Sequence, residues 1–104
     1  MKAIVTRVTL KPGRADAVAA LFEQTNPELV RDRTEWHGAR LLIDRARDEV
    51  TVIALWRSEE AYRAFAEADA FRQTMARFAQ HFAAPPEVQV TEVAVDMAPD
   101  DVDA

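Results

Sequence analysis

Residues 52–65 read Val-Ile-Ala-Leu-Trp-Arg-Ser-Glu-Glu-Ala-Tyr-Arg-Ala-Phe, and the pattern changes period in the middle of this stretch. Up to Trp56 it continues an apolar run begun at Val50, with the β-branched and aromatic composition that suits a strand. Ser58 then stands where a helix N-cap belongs, and Glu59 and Glu60 follow near the positive end of the helix dipole. Beyond them Tyr62, Phe65 and Ala66 recur at helical spacing. A strand that runs straight into a capped helix is part of a mixed α/β unit, and the flanking sequence decides its context.

Working toward the N-terminus, residues 39–43 read as a second strand. The polar connector 44–49 is short enough to make a hairpin with strand 50–56. Residues 3–10 are rich in β-branched side chains and form a further strand, broken by Lys11-Pro12-Gly13. From Arg14 the apolar residues Val18, Leu21 and Phe22 take helical spacing. Asn26-Pro27 is expected to interrupt that helix, with Asn26 capping a second piece that carries Leu29 and Val30. Trp36-His37-Gly38 ends it. Toward the C-terminus, Asp69 is expected to cap another helix whose single stripe is Phe71, Met75, Phe78 and Phe82. Pro85-Pro86 stops it, and 88–95 is the last strand. The order predicts an α+β, ferredoxin-like βαββαβ domain with a four-stranded antiparallel sheet and helices on one face. The expected domain is 1–97, followed by an acidic, disordered tail at 98–104.

Composition narrows the function. The chain has 104 residues, 13 basic and 18 acidic, no cysteine, and a formal net charge of -5. Without cysteine there are no disulfides, thiolate nucleophiles or Cys-based metal centres. An acidic balance argues against nucleic acid as a partner, since sequence-independent binding needs a basic face. No apolar run approaches the ~18–20 residues that cross a bilayer, and the expectation is a cytoplasmic protein with no membrane partner. Gly-rich phosphate loops and dinucleotide fingerprints are missing, so no cofactor is expected. His37 and His81 show no metal-ligand spacing, so no metal is expected either.

Alternation in the strands makes a further point. Strand 50–56 puts Val52, Ala54 and Trp56 on one face and Ile53 and Leu55 on the other, while strand 3–10 sets Ile4 and Val8 against Val5. Both faces of the sheet are apolar, yet the helices cover one. A contiguous apolar patch of several hundred Å2 is unusual on a monomer. The sequence therefore predicts a homodimer joined sheet to sheet.

The run 52–65, together with the opening strand closed by Leu10-Lys11-Pro12-Gly13 and the start Gly38-Ala39-Arg40-Leu41-Leu42, resembles the antibiotic biosynthesis monooxygenase (ABM) superfamily of dimeric α/β-barrel proteins. The resemblance covers about residues 2–95. It implies a ligand pocket between sheet and helices in each subunit, and activities ranging from cofactor-free oxygenation of aromatic polyketides and quinols to haem degradation. In haem-degrading members the site is an asparagine on the first strand, a tryptophan ending the third strand and a histidine on the last helix. The corresponding positions here are Thr6, Trp56 and Met75, and only the tryptophan is kept. In the polyketide oxygenases the tryptophan and a tyrosine six residues later belong to the pocket, and both are present as Trp56 and Tyr62. Their pocket asparagine is replaced by Val52. Their last-helix arginine falls at Ala76, with Arg77 beside it and Arg72 one turn earlier.

The resemblance yields two classes of function. One is a monooxygenase that oxidises an electron-rich polycyclic aromatic or quinol with dioxygen and no cofactor. Tyr62 and His81 are its candidate catalytic residues, His81 as general base. Trp56, Val52, Phe65, Phe71, Met75 and Phe78 are candidate walls, with Thr6 and Arg77 as polar contacts. The other class is a non-catalytic barrel that binds a small apolar ligand, which the replaced polar positions favour. Haem binding through Met75 is the weakest reading, because Met75 falls within an apolar stripe. Trp56 is either a stacking wall, whose loss mainly weakens ligand binding, or a core residue, whose loss mainly destabilises; the expectation for Trp56→Ala is a modest loss of stability and a large loss of binding.

Overall fold

The computed structural model describes residues 1–102; the part of the expected tail at 103 and 104 lies outside the described residues. Four strands, β1 (Lys2–Thr9), β2 (Trp36–Asp44), β3 (Glu49–Trp56) and β4 (Glu87–Glu92), form one antiparallel sheet in the order β2-β3-β1-β4. Helices α1 (Ala15–Val30), α2 (Glu59–Glu67) and α3 (Asp69–Ala79) make the connections. This is the ferredoxin-like α+β arrangement the sequence predicts, with β1 and β3 at the centre.

Register sets which side chains meet the helices. β1 pairs with β3 so that Ile4 faces Ala54, Thr6 faces Val52 and Val8 faces Val50. The alternate residues, among them Val5 opposite Ile53 and Ala3 opposite Leu55, point to the other face. The helix-side core falls into two clusters. One gathers Val8, Leu10, Ala15, Val18, Val50 and Phe78; the other gathers Ile4, Val30, Trp56 and Phe65.

The helices depart from expectation at their joints. α1 does not break at Asn26-Pro27 but runs through it, with Pro27 inside the helix. The proline lacks an N–H, so the Glu23 carbonyl has no i+4 donor. Pro27 lies on the exposed side, where water reaches that carbonyl, while Val30 at the far end is buried and anchors the last turn. The second helical region does split as expected, at Ala68, whose extended backbone (ψ 143°) turns α2 into α3. The cap position of α3 is Ala68 rather than Asp69, which sits in the first turn and acts only through the dipole. Ser58 caps α2 as predicted, its Oγ accepting the Ala61 N–H at 3.2 Å.

β2 starts earlier than expected, at Trp36, because a bulge between Trp36 and Ala39 lets the chain enter the sheet. Gly38 sits there at φ +120°, a conformation that L side chains rarely adopt. β4 ends earlier than expected. Its last ladder pair is Glu92 with Lys2, beyond which the Val93 N–H reaches the Met1 carbonyl. Within the expected tail, Pro99–Asp101 forms one 3-10 turn, closed by the Ala98 N–H on Asp101 Oδ2.

Candidate functional site

The gap between sheet and helices holds two adjoining cavities. The larger, about 290 Å3, has Val50 and Leu41 of the sheet on one side and Val18 and Leu29 of α1 on another. Met75 and Phe78 of α3 close it, and Phe82 and Val88 also line it. The smaller, about 90 Å3, is walled by Ile4, Ala54, Trp56, Val30, Trp36 and Phe65. Six residues line both cavities and so form the neck between them: Thr6, Phe22, Asn26, Val52, Tyr62 and Phe71. Both central strands and all three helices contribute to that neck.

Each neck residue is there for a local reason. Thr6 and Val52 are a cross-strand pair on the inward face. Phe22 and Asn26 are four residues apart on α1 and share its inner side. Tyr62 lies on the first turn that Ser58 caps, and Phe71 follows the α2–α3 joint. Trp56 stacks obliquely on Phe65 with centroids 4.9 Å apart and meets Tyr62 edge-on at 6.3 Å. The Arg33 guanidinium sits 5.7 Å over the Phe65 ring and covers that cluster from outside.

Polar groups in the walls are few. Thr25 spends its hydroxyl on the Leu21 carbonyl at 2.8 Å. The Asn26 amide and the Thr6 and Tyr62 hydroxyls make no hydrogen bond to protein among the described residues, and none of these atoms is sealed off. Burial pushes the Tyr62 hydroxyl above the usual tyrosine value of 10.0, against a smaller opposite pull from Arg63. Tyr62 is therefore a neutral phenol at physiological pH and offers a proton for hydrogen bonding. Among the described residues no aspartate, glutamate, histidine, lysine or arginine lines either cavity.

The sequence candidates thus separate. Thr6, Val52, Tyr62 and Phe71 meet at the neck, Met75 and Phe78 wall the larger cavity, and Trp56 and Phe65 wall the smaller one. Arg77 and His81 line neither. Arg77 precedes the buried Phe78, and the helical turn of one residue carries it to solvent. His81 Nδ1 lies 3.0 Å from Arg14 Nη1. Arginine only donates, so Nδ1 is the acceptor and the ring proton resides on Nε2. The His81 carbonyl also takes the Lys11 N–H at 2.8 Å, so the residue ties the end of α3 to the loop after β1. Arg72 stands on an outer groove that shares Met75, Phe82 and Pro86 with the larger cavity. Sequence reasoning missed Phe22, Thr74 and above all Asn26 as cavity residues. The Phe22–Asn26 helical spacing was the available signal, masked by the proline that follows.

The one-sided ferredoxin-like sheet and its helices thus enclose an apolar cavity with a sparse polar neck. The model of the antibiotic biosynthesis monooxygenase family matches residues 1–77, and the chain belongs to that family. Solved structures agree on the fold. A mutant of SnoaB, a cofactor-independent oxygenase from Streptomyces nogalater, is similar with a TM-score of 0.75 at 18% identity, covering 92% of this chain and 95% of that one. Rv0793 from Mycobacterium tuberculosis gives 0.75 at 16% identity, covering 93% and 98%. A protein of unknown function from Nitrosomonas europaea gives 0.75 at 20% identity, covering 94% and 93%. No curated protein matches the sequence.

Proposed function

We propose that this protein is a cofactor-independent monooxygenase of an electron-rich, hydroxylated aromatic of two or three fused rings, working with dioxygen as co-substrate. The observation that carries this reading is the larger cavity: its walls are mostly apolar, and three of its polar residues, Thr6, Asn26 and Tyr62, stand at the neck. At about 290 Å3 it sits at the lower edge of ordinary ligand pockets, roughly 300–1,000 Å3. The family membership supports the reaction class.

Dioxygen is a triplet and reacts slowly with closed-shell molecules, but a phenolate escapes that restriction by giving up one electron first. The resulting superoxide and aryloxyl radical combine at the ring carbon para to the oxygen. Loss of water from the peroxide leaves a second carbonyl, so that a phenol plus dioxygen becomes a quinone plus water. One oxygen atom enters the product and the other leaves as water, and no outside reductant is consumed. The protein's part is to hold the ring, exclude bulk water and hydrogen-bond the oxygen edge through Tyr62 and Thr6. With His81 engaged by Arg14 and outside the cavities, proton removal falls to solvent rather than to a side chain.

The homodimer belongs to the same reading. Val5, Ile53 and Leu55 lie on the sheet face opposite the helices, and pairing two such faces removes their apolar surface from water at ~25 cal/mol per Å2. A cytoplasmic setting fits a chain in which no described helix is long and apolar enough to cross a membrane. The test is incubation with a panel of anthrones, naphthols and quinols under oxygen-18 dioxygen and under argon. One labelled oxygen per product, formed only aerobically and faster than without protein, is the expected result. No turnover above the protein-free rate across the panel overturns the enzymatic reading and leaves a ligand-binding barrel.

A further inference from the structure

We propose that Asn26 is the residue that selects ligands by their oxygen edge, holding that edge at the neck while the ring fills the larger cavity. This rests on the reading of the larger cavity as an aromatic-binding site. The argument begins with volume. An apolar cavity of about 150 Å3 is known to accommodate benzene, and the smaller chamber is about 90 Å3. An aromatic ring therefore belongs in the larger chamber, with at most a small substituent passing the neck.

The second step is an inventory of the neck. Of its six residues three are polar, and Asn26 alone presents both a donor and an acceptor group on one planar side chain. Thr6 and Tyr62 carry single hydroxyls. This amide has no protein partner among the described residues and is not sealed off, so its donor and its acceptor both stand open to a ligand. A bound oxygen, whether hydroxyl or carbonyl, satisfies it in either protonation state: the amide oxygen accepts from a phenol, and the NH2 donates to a phenolate or quinone. That dual capacity suits a site whose ligand changes from hydroxyl to carbonyl during turnover.

The third step is position. The two strand positions where the resemblance leads one to expect a pocket asparagine hold Thr6 and Val52, and these two face each other across β1 and β3. Asn26 lines the same neck from α1. The polar amide is thus supplied from the helix layer rather than from the sheet. Asn26 is half-buried, follows Thr25, whose hydroxyl is already taken by Leu21, and precedes Pro27. Its helical phase with Phe22 turns it inward.

The experiment compares 1-naphthol with naphthalene, two probes of equal ring size that differ by one hydroxyl, on the full chain by fluorescence titration. Wild type should bind naphthol more tightly. Asn26→Leu should weaken naphthol by roughly 3–10-fold, the range of one neutral hydrogen bond, and leave naphthalene within twofold. Asn26→Ala serves in the same comparison if the leucine variant does not fold, and circular dichroism checks both. Equal losses for the two probes mean that residue 26 acts through cavity shape, and unchanged naphthol affinity means that it does not touch the oxygen; either overturns the proposal. If wild type binds neither probe, the aromatic-site reading itself fails and this inference falls with it. Binding of both probes to wild type without discrimination overturns the role of Asn26 alone.

Discussion

Replacing Trp56 with alanine separates the two roles that its sequence position allows. The side chain is 2% exposed, ends β3, and packs with Ile4, Val30 and Phe65. It walls the smaller chamber and is not among the residues lining the larger one. Removing a fully buried large aromatic costs about 3–5 kcal/mol, because the lost contacts are not replaced. A domain of this size has a total stability of roughly 5–15 kcal/mol and loses about 4–8 °C of Tm per kcal/mol. The expected drop in Tm is therefore on the order of 12–40 °C, and the urea midpoint should fall with little change in slope. Trp36 remains as the fluorescent reporter. Because the variant enlarges the chamber behind the neck and leaves the ring-binding walls in place, 1-naphthol affinity measured well below Tm should change by less than about threefold, under 1 kcal/mol. A stability loss below about 1.5 kcal/mol, or a tenfold loss of naphthol affinity in a folded variant, would refute the assignment of Trp56 to the core.

The remaining expectations concern ionisation, assembly and the filling of the neck. Tyr62 is the one tyrosine of the chain, so phenolate absorbance titrates it alone; its midpoint should lie above 10.0, because burial disfavours the charged form. The unfolded phenol ionises first, so stability from this group is fully present below 10.0 and is lost as pH rises through the folded value; a midpoint at or below 10.0 contradicts the burial argument. Ile53→Glu, on the open sheet face opposite Val5, should convert a dimer to a folded monomer in size-exclusion light scattering, and an unchanged dimer moves the interface elsewhere. With no carboxylate, histidine or lysine among the described residues lining the cavities, kcat/KM for phenolic substrates should rise with pH until each substrate's own ionisation is complete; an inflection common to all substrates near neutrality points to a protein base instead. Thr6→Leu should raise stability by roughly 0.5–2 kcal/mol in thermal melts while abolishing naphthol binding, and undiminished binding would remove Thr6 from the neck.

What the sequence reveals of this fold is whatever is decided locally. Ser58 caps α2 because its neighbours on the chain supply the N–H it accepts, and the alternation of β3 is a property of consecutive residues. The end of β4 is different: Glu92 pairs with Lys2, ninety positions away, and no pattern within 88–95 records that. Asn26-Pro27 carries a strong local signal for a helix start, yet the buried Val30 and the solvent at Pro27 make a continuous helix the better solution. The same override hid Asn26 from the site, since a capping asparagine and an inward-facing one differ only in what surrounds them. His81 and Arg77 are the reverse case: as residue types they suit a general base and a polar contact, but helical phase and the Arg14 contact, both invisible in composition, leave them out of the residues that line the cavities.

The two clusters of the core explain why the cavity lies where it does. Along β1 the inward residues are Ile4, Thr6 and Val8, and along β3 they are Val50, Val52 and Ala54. Ile4 belongs to one cluster, Val8 and Val50 to the other, and the Thr6–Val52 pair falls between them. On α1 the same interval separates Val18 from Val30, and Phe22 and Asn26 occupy it. The neck is therefore the level between the two clusters, where polar Thr6 of the sheet and Asn26 of α1 stand among the apolar Phe22, Val52 and Phe71. An uninterrupted apolar stripe there would merge the clusters and close the space. Stability is carried above and below this level, by Trp56 with Phe65 at one end and by Phe78 with Leu10 at the other. The neck groups can thus be few, polar and loosely packed without unfolding the domain. That division is what lets a chain of 104 residues keep an open, chemically specific interior.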